Sequence, residues 1–540
     1  MNLDNQLLSS TAINELHAVL NAHGLYNTEQ FVLRLSPRNH ALIDQITAGQ
    51  HELSGISGET LQAYSTYLHE TIHWWQHVGS TTGLLLSTCF PNQTHMNFSE
   101  IAKWCKLCSP SKSIKTWSLD GELSGKTHLN AAQALANTIT NNFMDIHFFK
   151  LLLLRPQDSA SIYNNPYFES QGHCFAIAYH SLVSTIQPII DPGSEFLPDL
   201  DAWANNFQDL ARRKHNGYFY GSPIVRSHTS LAELWEAQAS FNQMQFLTHA
   251  NPQMKLDDFR EAGMLHGVYE AAFIEFFKRT KLPVPASALD SSVGLFLLAI
   301  DLAINPVEGF PCGITDYENF IFFADPNIRF QVICNAIKQE PEFYAKAILS
   351  YSKEEYLQVS LRLAANCGFN HPSKGWHEVE GWRSQSQHVQ HLLAERETFQ
   401  FSSSNIVLRV LLSHFIEFTT DKANNPEFFC WPGYWKGNPS ELTTKLWLKH
   451  LSLFSDKADD GGIFIREFPG KQPEALLGTL NSFFGNCVLF DLTRQWIFED
   501  GPFRFDFKWL SEKHQSAEWR SWADLNFQNL YGVSLADIAT

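Results

Sequence analysis

The chain lacks an uninterrupted apolar run of about 18 residues, the length a helix needs to cross a bilayer. The nearest approaches, residues 151–154 and 293–304, are short and are flanked or broken by Lys150 and Asp301. The first residues, Met1-Asn2-Leu3-Asp4-Asn5, also lack the basic start and apolar core of a secretory leader. Neither membrane insertion nor export is therefore expected. Regular cysteine spacing is missing too: nine cysteines, an odd number, are scattered through 540 residues. A secreted disulfide scaffold is denser and usually even-numbered. Reduced thiols in a cytoplasmic protein are the expectation. One CxxC occurs, Cys105-Lys106-Leu107-Cys108, with no second one to complete a four-ligand zinc site. His173-Cys174 would have to supply the remaining ligands.

Positive charge is scarce. Lys and Arg number 39 against 56 Asp and Glu, a formal net charge of −17. Such a chain repels phosphate backbones, so nucleic acid is not expected as the main partner. The short run Arg212-Arg213-Lys214 reads as a solvated helix end. No G-x-x-x-x-G-K-[ST] phosphate loop, dinucleotide fingerprint or G-x-S-x-G nucleophile turn is found. Internal repeats and low-complexity tracts are absent as well.

What remains is a globular composition, 44% hydrophobic and 18% charged, with length for two to four domains at roughly 100–200 residues each. Phe31-Val32-Leu33-Arg34-Leu35 alternates, is rich in strand formers and stops at Ser36-Pro37, so it predicts a short strand. After the turn-rich residues 54–58, a helix-compatible run extends from Glu59 to about Phe90. Leu61, Tyr64, Leu68, Ile72 and Trp75 mark one apolar face of it. Residues 230–247 and 259–278 are also helical by period, the latter with His266, Tyr269 and Phe273 on one side. Asn305-Pro306, Gly309 and Pro311 form a break, and a domain boundary is placed near 310. Beyond it, residues 406–411 and 487–492 look strand-like. Trp431-Pro432-Gly433-Tyr434-Trp435 reads as an ordered loop.

The chemistry sits in His69-Glu70-Thr71-Ile72-His73, an H-E-x-x-H. Four residues of helix turn through about 400°, so both imidazoles share a face one turn apart. Two such nitrogens can meet one zinc at about 2.0–2.1 Å. Glu70 is offset by one residue; it cannot easily share the metal, but it can reach a water beside it and take its proton. Trp74 and Trp75 follow directly and could wall the site. The bland alternative is a helix whose histidines bridge surface groups. His77 continues the face, yet it lies about 12 Å along the axis from His69, too far for one tetrahedral ion on a straight helix.

A helical H-E-x-x-H behind a strand resembles the zincin superfamily of zinc metallopeptidases. That resemblance covers a small share of the chain. It implies an α+β, predominantly helical protein with a zincin-like core, in which a small mixed sheet packs on the motif helix. Large helical insertions and a C-terminal accessory region would account for the rest. Residues 1–310 would form the core, with a helical insertion at about 91–230. Residues 311–540 would form an accessory α+β domain of unknown role. It implies His69 and His73 as metal ligands and Glu70 as general base. The metzincin pattern, which needs a glycine bend before a third histidine, is absent from Trp74-Trp75-Gln76-His77. The gluzincin branch is closer: Glu236 with Ala239 is similar to its E-x-x-A, making Glu236 the leading third ligand, with Glu233 as an alternative. Ser240 departs from the acid often found there. Zincins also tend to aim a Tyr or His at the developing oxyanion, which points to Tyr269 or His266.

The expectation is a zinc-dependent hydrolase, most readily a peptidase acting on a protein or peptide and restrained by a lid or a regulatory partner. Two other readings stay open: a metal-dependent amide hydrolase acting on a small molecule, and a non-catalytic binding or scaffold protein with a decayed motif.

Overall fold

Helix formation around the motif begins at Ser57. Its hydroxyl accepts the Thr60 N–H and caps α1 (Gly58–Gly79), satisfying one of the donors every helix start leaves unpaired. The apolar face expected on this helix is present, but burial is not confined to it. From Thr60 onward nearly every side chain of α1 is buried, so α1 is the central helix of the protein and not a surface one.

The computed structural model describes residues 24–27, 31–45, 55–123, 130–468, 470–505 and 517–539. Beyond α1, the helices that bear on function are α2 (Thr81–His95), α3 (Ala131–Leu154), α4 (Leu231–Ala250), α5 (Leu256–Glu261), α6 (Val268–Thr280), α7 (Ser291–Ile304), α8 (Ile406–Asn424), α9 (Pro432–Gly437) and α10 (Pro473–Phe498). Helices α2, α4 and α8 all pack directly on α1.

The single run expected from Glu59 to Phe90 is two helices. Ser80 turns the chain between them: its hydroxyl donates to the Gln76 carbonyl at 2.6 Å and accepts the Gly83 N–H at 2.9 Å. The two glycines make this corner tight. A Cβ on Gly83 would lie 1.7 Å from the Gln76 carbonyl oxygen, and one on Gly79 would lie 2.3 Å from the Phe418 ring of α8.

Four short strands form one mixed sheet in the order β1 (Gly24–Asn27), β2 (Val32–Leu35), β3 (Phe454–Lys457), β4 (Asp460–Ile465). The pairs β1/β2 and β3/β4 are antiparallel and β2/β3 is parallel. The strand expected at Phe31–Leu35 is therefore present as β2, and β1 and β2 both contact α1. Its parallel partner comes from far along the chain. The Leu35 N–H donates to Asp456 Oδ1 at 3.1 Å, and His40 Nε2 lies 2.7 Å from the same oxygen. The protein is thus α+β and predominantly helical. Residues 91–230 are largely helical. Packing also runs across residue 310, through β2 with β3 and α1 with α8.

Several local expectations are corrected. Residues 259–278 are not one helix: α5 and α6 are separated by a turn in which Gly263 and Gly267 take φ of 79° and 52°, values a continuing helix of L-residues does not accommodate. The strand-like residues 406–411 and 487–492 lie inside α8 and α10. Both helices are buried over most of their circumference, and a short all-apolar run carries no period that separates strand from helix. Trp431–Trp435 is ordered but leads into α9, with Pro432 at the first helical position, where its missing N–H costs nothing. Among the described residues, α10 is the helix long and apolar enough to cross a membrane, and more than half of its most apolar stretch is buried in the protein.

Candidate metal centre

Helix α1 sets His69 and His73 one turn apart, with ring centroids 4.7 Å from each other and planes at 76°. Helix α4 runs alongside and delivers Glu236. Its start is fixed by a capping box: the Ser230 hydroxyl accepts the Glu233 N–H, and the Glu233 carboxylate accepts the Ser230 N–H at 2.7 Å. Glu233 is thereby committed to the helix end, while Glu236, one turn on, faces α1.

Glu236 Oε2 lies 3.4 Å from His69 Nε2 and 3.5 Å from His73 Nε2. A tetrahedron with bonds of about 2.0–2.1 Å has edges of about 3.3–3.4 Å, so both distances match ligands sharing one ion. The three ligand atoms all fall within 4.8 Å of one another, and this is the one His/His/Glu group of its kind among the described residues. The Cys105, Cys108, His173 and Cys174 side chains form no such group. His69 Nε2 and His73 Nε2 are buried without a hydrogen-bond partner. Buried polar atoms are rarely left so, and a metal ion would satisfy both. The group can therefore hold a metal ion.

Electrostatics favour the same state. Burial by itself would raise the Glu236 carboxyl, but the imidazoles of His73 and His69 outweigh it and hold the group down to about 2. Burial lowers His69, with Glu236 pulling the other way. Glu236 is therefore ionised, the donor form in which a carboxylate binds a divalent cation.

Gln76 went unnoticed in the sequence. Its Oε1 accepts from His73 Nδ1 at 2.7 Å, which places the proton on Nδ1 and the lone pair on Nε2, toward Glu236. Gln76 is itself held by two donated bonds, to the Trp235 carbonyl at 3.0 Å and to Gln238 Oε1 at 2.9 Å. The available signal was its position, three residues after His73 on the same helix face.

His77 is placed away from the group. It is buried, its Nδ1 is 3.3 Å from the Ser87 hydroxyl, and its ring packs on Trp235 at 4.6 Å. Burial, aided by His73, takes its imidazole down to about 3. Tyr269, at the start of α6, comes to the site with its ring 6.2 Å from His69. Burial and the charges of Glu236 and Glu70 raise its phenol, keeping the hydroxyl protonated and able to donate. His266 lies in the exposed turn before α6, against Tyr269 and not against the ligands. Glu70 is fully buried on α1 next to His69.

Three protein donors leave one position of a tetrahedral ion open, whereas purely structural zinc sites are closed by four. Comparison with known protein families, curated proteins and solved structures gives no match.

Proposed function

We propose that this chain is a zinc-dependent hydrolase of peptide bonds, with His69, His73 and Glu236 as metal ligands and Glu70 as general base. The observation that carries it is the ligand geometry, in which one carboxylate oxygen stands a tetrahedral edge from each of two imidazole nitrogens. Zinc bound here supplies Lewis acidity and makes water a stronger acid. Glu70 takes the proton of the attacking water and returns it to the leaving amine. The protonated Tyr269 hydroxyl donates to the developing oxyanion. Gln76 keeps His73 in the tautomer that presents Nε2.

The proposal includes the resemblance to the gluzincin branch of the zincins. The mixed sheet against α1 supports it, as does the meeting of Glu236 with both motif histidines. It also includes a cytoplasmic setting, supported by nine cysteines that are all free, and a protein or peptide partner as substrate.

The test is zinc content and hydrolysis in one preparation. Protein purified without added metal should carry near-stoichiometric zinc. Glu70→Gln should retain it and lose roughly a hundredfold to ten-thousandfold in kcat. Undiminished hydrolysis in that variant would refute the assigned base. A second reading, hydrolysis of a small amide, is favoured by enclosure: His69, Glu70, His73 and Glu236 are each at most 2% exposed. Peptide libraries run against small amides separate the two. Absence of both metal and a thermal response to zinc would point instead to a non-catalytic binding protein.

A further inference from the structure

We propose that a second site, between α3 and the two helices Gln171–Ile190 and Leu200–Arg212, binds a small organic cation: a protonated amine on an aromatic or other apolar body. It is a cavity of about 510 Å³, and none of the metal-centre residues lines it.

Helical spacing builds the walls. Positions 173, 176, 177 and 180 share one face of the Gln171–Ile190 helix, and positions 203, 204, 207 and 211 share one face of the Leu200–Arg212 helix. All of them line the cavity. Alanine at 176, 204 and 211 leaves the gap between the helices open, while Trp203 and Phe207 bring aromatic rings to it. Phe207 is stacked on Tyr218, another lining residue, with centroids 5.9 Å apart and planes at 18°.

The fixed charge here is acidic. Glu169 lines the cavity, and among the described residues no Lys or Arg does. His173 stands between two carboxylates: its Nε2 lies 3.1 Å from Asp145 Oδ2 and its Nδ1 3.7 Å from Glu169 Oε2. The second distance is too long for a direct hydrogen bond. One imidazole offsets one carboxylate at most, so the trio keeps a net negative charge at neutral pH whether His173 is protonated or not. Asp145 also accepts from the Cys174 thiol at 3.6 Å. Burial and the charges of Asp145 and Glu169 raise that thiol well above its ordinary range, so it stays uncharged. Burial lowers His180 against the pull of Asp201, and this imidazole too adds no positive charge at physiological pH.

Groups that would attract an anion are already engaged. At the start of the Gln171–Ile190 helix, the Gly172 N–H donates to the Gly217 carbonyl at 2.7 Å and the His173 N–H to the Ser170 hydroxyl at 3.1 Å. Arg212 and Arg213, at the end of the second helix, pair with Asp209, and Arg213 pairs with Glu318 as well.

An exposed carboxylate beside an indole and a phenyl ring matches an ammonium group on an apolar body, because both the carboxylate and the ring faces attract a cation. The volume argues for that body. Cavities of about 300–1,000 Å³ hold drug-sized ligands, and an inorganic cation alone would leave most of this one unfilled.

Calorimetric titration of the full chain at neutral pH tests the proposal with matched probes. 2-Naphthylmethylamine carries an ammonium group on an aromatic body. 2-Naphthylmethanol keeps the body without the charge, 2-naphthoate reverses the charge, and methylamine has the charge without the body. Saturable one-to-one binding is expected for 2-naphthylmethylamine, with the other three at least tenfold weaker. Glu169→Gln should weaken it roughly tenfold, and Glu169→Asp should weaken it less. Ala204→Phe should fill the cavity and abolish binding. Glu169 and Ala204 are both exposed, and unchanged melting temperatures would show that the variants remain folded. If one does not, the other variant and the four probes on the native chain still decide. No binding of 2-naphthylmethylamine at millimolar concentration, the alcohol binding as tightly as the amine, or binding indifferent to Glu169→Gln or to Ala204→Phe would each overturn the proposal.

Discussion

Replacing Gln76 by leucine tests whether the centre is built for a metal or only packed. The side chain accepts from His73 Nδ1 at 2.7 Å and donates to the Trp235 carbonyl and to Gln238. Leucine fills similar space but breaks all three bonds. Each buried group left unpaired costs about 1–3 kcal/mol, and that cost falls on the metal-free and metal-bound protein alike. The metal-specific part is different. Freed from its acceptor, His73 no longer holds one tautomer and one ring orientation. Loss of such a supporting bond typically weakens metal binding by about 10–100-fold, or about 1.4–2.7 kcal/mol. Competition against a chromophoric chelator reads the affinity, and urea denaturation with and without zinc reads the two stabilities. The expected result is a lower metal-free stability together with a zinc affinity reduced at least tenfold. Reduced stability with zinc affinity unchanged within twofold would refute the reasoning and leave Gln76 a packing residue.

Further outcomes follow from other parts of the structure. Zinc at about a hundred times its Kd should stabilise the protein by about 2.7 kcal/mol, seen as a rise in melting temperature that Glu236→Ala abolishes. At the helix corner, Gly79→Ala meets a ring that can shift and should cost about 1–3 kcal/mol, whereas Gly83→Ala meets the Gln76 backbone oxygen and should cost more; urea denaturation ranks them. Asp421 takes His450 Nε2 at 2.7 Å and Lys449 Nζ at 2.6 Å. Burial opposes its ionisation, but these partners lower it from 3.8 to about 2. A depressed carboxyl pKa contributes stability that is fully present above the unfolded value and is lost as pH falls through the folded one. The stability gap between the native chain and Asp421→Asn should therefore shrink between about pH 4 and pH 2, in acid titrations followed by circular dichroism.

The candidate metal centre was legible where its logic is local. The spacing of His69 and His73 is a property of one helix turn, and Glu236 could be picked because Glu236 with Ala239 resembles the E-x-x-A of the gluzincin branch. Choosing between Glu236 and Glu233 required three dimensions, because the capping role of Glu233 depends on where α4 begins. Gln76 was hidden because glutamine on a buried helix face has no distinctive pattern. The α5–α6 break was missed because Gly263 and Gly267 interrupt a period that otherwise continues through them. The strand-like stretches of α8 and α10 misled because helices buried on nearly every side lose their amphipathic signature. Nothing near Val32–Leu35 indicates that its parallel partner lies at Phe454–Lys457, since strand pairing of that range leaves no local mark.

That distant pairing bears on how the chain is made. Leu35 and Asp456 are 421 positions apart, and synthesis at about 5–20 residues per second separates their emergence from the ribosome by roughly 20–80 s. Throughout that interval one edge of β2, which starts at the apolar Val32 and follows the apolar Phe31, lacks its β3 partner. Both motif histidines and Glu236 emerge well before β3 does. His69, His73 and Glu236 are thus all out of the ribosome while the sheet is still open, an interval in which chaperone capture would have time to act.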